Sequence, residues 1–94
     1  MKAIKKIPGG KMLAVEWKIR KDASNHTGII TFFELSGDFF AYPEWCIEEI
    51  ERAVVGTKVS DLKETIQKKL RANNFEIVGF SADDVQRIVA GDLA

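Results

Sequence analysis

One cysteine, one histidine and two prolines stand in a chain of 94 residues, and no stretch reaches the roughly 20 apolar residues of a membrane-spanning helix. A single thiol, Cys46, excludes an internal disulfide, and with His26 alone beside it no multi-cysteine zinc or iron–sulfur ligand set can be completed within the chain. A reducing compartment is the natural inference. Met1-Lys2-Ala3-Ile4-Lys5-Lys6-Ile7 is basic but has no apolar run of signal-peptide length, so a cytoplasmic protein without membrane attachment is expected. Net charge is missing too, since 14 Lys and Arg balance 14 Asp and Glu. With a pI near 6.6 and no stacking aromatics among the lysines, nucleic acid is not an expected partner. Catalytic signatures are absent as well: there is no Walker-type glycine loop, no HExxH and no Ser with a His base in a recognisable frame.

What is present is enough for a core. With 46% of its residues apolar and 30% charged, the chain reads as one soluble domain over residues 1–94. A stability of about 5–10 kcal/mol is expected at this size, which leaves little room for an elaborate catalytic site. Charge is uneven along the chain. Residues 1–21 hold seven basic side chains against Glu16 alone, while residues 34–51 hold six acidic ones and no Lys or Arg, so opposite ends of opposite sign are expected.

The organising stretch is Ser36-Gly37-Asp38-Phe39-Phe40-Ala41-Tyr42-Pro43-Glu44, before which the chain alternates and after which its period is helical. Lys2 to Ile7 reads as an edge strand, broken by Pro8-Gly9-Gly10. From Lys11, Leu13, Val15, Trp17 and Ile19 share one face. A polar turn containing His26 leads to a strand from Ile29 to Leu35. There Thr31, Phe33 and Leu35 fall with Ile29 on one side, yet Ile30 and Phe32 on the other are apolar too and need a cover, from this chain or another protein. Gly37-Asp38 is turn chemistry. Phe39 and Phe40, if extended, point to opposite sides, so either one enters the core while the other faces out or both wrap the core.

Pro43 suits the first position of a helix over about 43–55, with Glu44, Glu48 and Glu49 at its positive end and Gly56 just past its close. Cys46, Ile47, Ile50, Ala53 and Val54 form its apolar stripe. Trp45 lies off that stripe, folded back over the Gly37-Asp38 turn or presented to a partner. Ser60 suits the cap of a second helix over 61–72 carrying Leu62, Ile66 and Leu70, ended by Asn73-Asn74. Phe75 to Phe80 is a connector or short strand, and Ser81 opens a third helix over 82–90 with Val85, Ile88 and Val89 on one face. The class is therefore α+β: a three-stranded antiparallel sheet followed by two or three helices packed mainly on one face.

Ile7-Pro8-Gly9-Gly10-Lys11, the alternating hairpin, Gly37-Asp38-Phe39-Phe40 with Tyr42-Pro43-Glu44, then Ile50-Glu51 and Gly56, resemble in their order the small accessory domain of lipoate-protein ligase. The chain is similar to the free-standing form of that domain found beside a larger catalytic chain in some archaea. The resemblance runs from about Lys5 to Leu93 and implies a fold related to iron–sulfur assembly proteins. It further implies a non-catalytic subunit, inactive alone, in a heterodimer whose catalytic chain uses ATP, Mg2+ and lipoate to form lipoyl-adenylate before lipoyl transfer to lipoyl domains. No catalytic residue carries over. Pro8, Gly9, Gly10, Lys11, Gly37, Asp38, Phe39, Phe40 and Trp45 are the candidates for positioning the partner's site. Two other readings stand beside it: a single-cysteine sulfur acceptor, which needs an exposed, activated Cys46, and a plain interaction module.

Overall fold

The alternating half of the chain folds as its period requires. The structure, a computed structural model, describes residues 1–7, 11–21 and 28–91, so Pro8, Gly9, Gly10 and His26 lie outside the described residues. Strands β1 (Lys2–Ile7), β2 (Lys11–Lys21) and β3 (Gly28–Gly37) form an antiparallel sheet in the order β1-β2-β3. Leu13, Val15 and Trp17 of β2 and Phe33 and Leu35 of β3 are buried on one face, where the helices lie.

The apolar residues on both sides of β3 are reconciled by a β-bulge. Lys18 pairs with Phe32 but Ile19 pairs with Ile30, which leaves Thr31 as the extra residue and reverses the strand's phase there. Ile30 thereby joins Phe33 and Leu35 in the core instead of lying opposite them. Phe32 remains on the outer face, half-buried, with the Lys18 ammonium 5.8 Å from its ring centroid, and Ile29, expected on the core side, is turned outward by the same phase change, half-buried opposite Arg20. The cover expected for Ile30 comes from the chain itself: Gly56 N–H donates to the Ile30 carbonyl (2.7 Å) and Ile30 N–H donates to the Thr57 carbonyl (2.9 Å). Farther along the same edge, Leu35 N–H donates to a Glu51 carboxylate oxygen at 2.8 Å.

The helical half follows the sequence with three adjustments. Helix α1 runs Cys46–Val54, α2 Leu62–Asn73 and α3 Ala82–Ala90. Pro43 is not the first residue of α1, because Tyr42 is held in a strand and the chain must turn over 43–45 first; Cys46 N–H closes that turn on the Pro43 carbonyl at 2.9 Å. Ser60 does not cap α2 either, since a 3-10 turn, Val59–Asp61, precedes the helix. Gln86 of α3 does that work instead, accepting from Lys63 N–H and donating to the Val59 carbonyl, each at 2.9 Å. Ser81 does cap α3, in a reciprocal capping box with Asp84.

The third adjustment is an added ribbon. Strands β4 (Phe40–Tyr42) and β5 (Glu76–Val78) pair antiparallel as a separate two-stranded sheet. The class remains α+β. Charge is less segregated in space than along the chain: Lys2 and Glu34 both lie beside Glu16 in the sheet register.

Candidate functional site

The Gly37-Asp38 turn connects the two sheets, and its geometry is dictated by Met12. Gly37 has φ of +135°, and a Cβ there would lie 2.3 Å from the Met12 carbonyl oxygen, so only glycine fits without displacing backbone. Asp38 N–H donates to that same oxygen at 2.8 Å. The turn is thus fixed beside the start of β2, which begins at Lys11.

From this turn the two phenylalanines part company. Phe39 packs on the core, edge-to-face with Phe80 at 4.9 Å between centroids, while Phe40 is 76% exposed. Gly79 (φ +125°) holds the inner ring in place: a Cβ at this position would lie 2.8 Å from that of Phe39. Sequence reasoning missed Gly79, whose only advance signal was a glycine between the apolar residues Val78 and Phe80.

On the ribbon, Ala41 and Ile77 form the half-buried inward pair, and Phe40 with Val78 and Tyr42 with Glu76 form the outward pairs. Tyr42 is 75% and Val78 63% exposed, so three large apolar or aromatic side chains face solvent side by side. Trp45 follows immediately. Its ring stands edge-to-face on Phe75 at 5.3 Å between centroids, yet the residue keeps 56% of its surface exposed. It therefore folds onto Phe75, which follows α2. Of the candidates, Gly37 and Asp38 form the turn, Phe39 is packed on the core, and Phe40 and Trp45 stay exposed together with Tyr42 and Val78, which sequence reasoning did not single out.

Two surface cavities are candidates for binding. One, of about 320 Å3, lies between β3 and α1 and is lined by Thr31, Phe32, Phe33, Glu48, Glu51, Arg52 and Val55. Its polar groups are largely occupied: Glu51 caps Leu35, and Arg52 pairs with Glu49 at 3.4 Å. Burial pushes the Glu51 carboxyl up, the Leu35 N–H works against that rise, and Glu34 and Glu48 add to it. The other, of about 290 Å3, is lined by Phe39, Phe40, Ala41, Glu44 and Ile47, and Glu44 has no ion-pair or hydrogen-bond partner among the described residues. The second cavity opens beside the exposed Phe40 and has an unengaged carboxylate.

Cys46 is completely buried, and desolvation pushes its thiol up from the ordinary value. A buried neutral thiol is a poor nucleophile, which counts against the sulfur-acceptor reading. No group of His, Cys, Asp and Glu among the described residues is arranged to hold a metal ion. Among the same residues no helix is long and apolar enough to cross a membrane.

Compared with known proteins, the sequence matches no family model and no curated protein. The fold is similar to a chain in a solved archaeal lipoylation system, a bi-partite lipoate protein ligase and its E2 lipoyl domain from Thermoplasma acidophilum. The likeness has a TM-score of 0.69 at 18% identity and covers 93% of this chain and 94% of that one. At that identity it establishes a shared fold across nearly the full length of both chains.

Proposed function

We propose that this chain is the small, non-catalytic subunit of a two-chain lipoate protein ligase, required with a larger catalytic chain for activation of lipoate to lipoyl-adenylate. The observation that carries the reading is the likeness of fold to a chain of a bi-partite ligase system, running nearly end to end in both. The order of motifs around Gly37-Asp38-Phe39-Phe40 supports it independently of the overall shape.

The chemistry explains why a second chain is useful. Adenylation joins a carboxylate to a nucleotide phosphate as a mixed anhydride that water destroys, so the two reactants must be held in line and solvent kept out. A small domain docking over the catalytic chain supplies both. ATP, Mg2+, lipoate and the acceptor lipoyl domain are assigned to that larger chain. The docking face contains the Gly37-Asp38 turn, Phe40 and Trp45, and the Pro8-Gly9-Gly10-Lys11 segment is a further candidate.

The test is pyrophosphate exchange into ATP. The isolated small chain is expected to give none, and the mixture with the large chain should give lipoate-dependent exchange. Equal exchange by the large chain alone would overturn the proposal.

A further inference from the structure

We infer that the cleft between β4 and the start of α1 receives a lysine or arginine side chain from a basic surface of the partner protein. The inference rests on the reading above, that the chain docks on a larger protein, and adds the charge and shape of what docks. The cleft of about 290 Å3 is lined by Phe39, Phe40, Ala41 and Ile47 and by one anion, Glu44. A long cationic side chain has the same division, with an aliphatic stem and a charged head. Its stem would lie along Ile47 and Ala41, and its head would meet the Glu44 carboxylate and the face of the exposed Phe40 ring, where a cation is attracted by the ring quadrupole.

The stretch of chain that carries the cleft has the matching sign. No Lys or Arg occurs between residues 34 and 51, and Asp38, Glu44 and Glu76 have no ion-pair partner among the described residues. Some acids elsewhere are engaged, Glu49 lying within 3.5 Å of both Arg52 and Lys69 and Asp84 2.8 Å from Arg87, whereas Glu44 is free to take a cation. An uncharged aliphatic occupant would cover Glu44 and strip its water without compensation. A second copy meeting this face symmetrically would set the same carboxylates against one another. A basic partner surface avoids both costs.

Two measurements test this. In 1H–15N spectra of the intact chain, N-acetyl-arginine amide should shift resonances of residues 40–47, whereas N-acetyl-norleucine amide should not, and Glu44→Gln should abolish the response. Equal shifts from both compounds, or none from either, would overturn the cation site. In calorimetry with the large ligase chain, Glu44→Gln should weaken binding about 10-fold and flatten its salt dependence, and Glu44→Lys should weaken it further. The melting temperature of the free chain should not move, because Glu44 is exposed. Unchanged binding by Glu44→Lys, or a wild-type dimer in sedimentation that this substitution dissociates, would also overturn it. If the large chain binds neither wild type nor variants, the docking reading fails, and the amide titration still decides whether the cleft takes a cation.

Discussion

The two sheets of this protein treat the same kinds of side chain in opposite ways. Between β2 and β3, Trp17 and Phe33 are direct partners and both vanish into the core; between β4 and β5, Phe40 and Val78 are direct partners and both face water. The large sheet has helices laid over its apolar face, whereas the ribbon buries only Ala41 and Ile77 and turns its larger residues outward. Apolar surface in the first case stabilises the fold. In the second it contributes little to folding, and on the function proposed above it is the surface that the partner covers.

The sharpest break of this contrast is Trp17→Ala, which empties a central core position and should cost about 3–5 kcal/mol in denaturant unfolding. A loss below about 1 kcal/mol would mean that the two sheets differ less than their burial suggests. Next comes Gly37→Ala, at the turn that separates the sheets. A side chain at φ of +135° and 2.3 Å from the Met12 oxygen should destabilise by about 1–3 kcal/mol and disturb Phe39 and Phe40 in spectra as well.

A smaller effect is expected at the cap of α3, which supports Phe80 beneath Phe39. Ser81→Ala should cost about 1 kcal/mol at neutral pH. Burial of Asp84 opposes its charge, but the Ser81 N–H and hydroxyl and the Arg87 guanidinium outweigh it, so its carboxyl is held below the ordinary value. A lowered pKa contributes stability above the unfolded value that is lost as pH falls through the folded one. The penalty of Ser81→Ala should therefore shrink below about pH 4 in melts across pH. The smallest stability effect is expected on the ribbon: Phe40→Ala and Tyr42→Ala should each change stability by no more than about 0.5 kcal/mol. Their effect should appear in partner affinity instead, and a pair of variants that melt early but bind normally would erase the distinction drawn here.

Most of the architecture was legible because burial imposes a period. Leu13, Val15 and Trp17 announce β2, and Cys46, Ile50 and Val54 announce the buried face of α1. For Phe39 and Phe40 the period left two arrangements open, and the structure takes the one in which they part. The bulge was half visible: Ile29-Ile30 and Phe32-Phe33 are apolar doublets, as a phase change in a strand leaves behind, yet nothing local says which residue is extra. The ribbon was not legible, since three-residue strands are too short for a period and their pairing is decided by how α1 and α2 bring distant segments together. Gln86 replacing Ser60 at the start of α2 is a contact of the same kind, made by a residue on another helix. At the candidate site, Phe40 and Trp45 could be singled out as off-pattern aromatics, whereas Tyr42 and Val78 acquire their place only through the ribbon.

That ribbon closes a loop containing all of α1, the 3-10 turn and α2, by means of two strands of three residues. Closing so large a loop gains only a few backbone hydrogen bonds, so the ribbon is expected to open before the helices come apart. In native-state hydrogen exchange its amides should trade with solvent through local opening at a low free energy, while those of β2 wait for global unfolding. A partner seated on Phe40, Tyr42 and Val78 would hold that clasp shut, so docking would be felt as slower exchange along the far end of α2, beyond the contact itself.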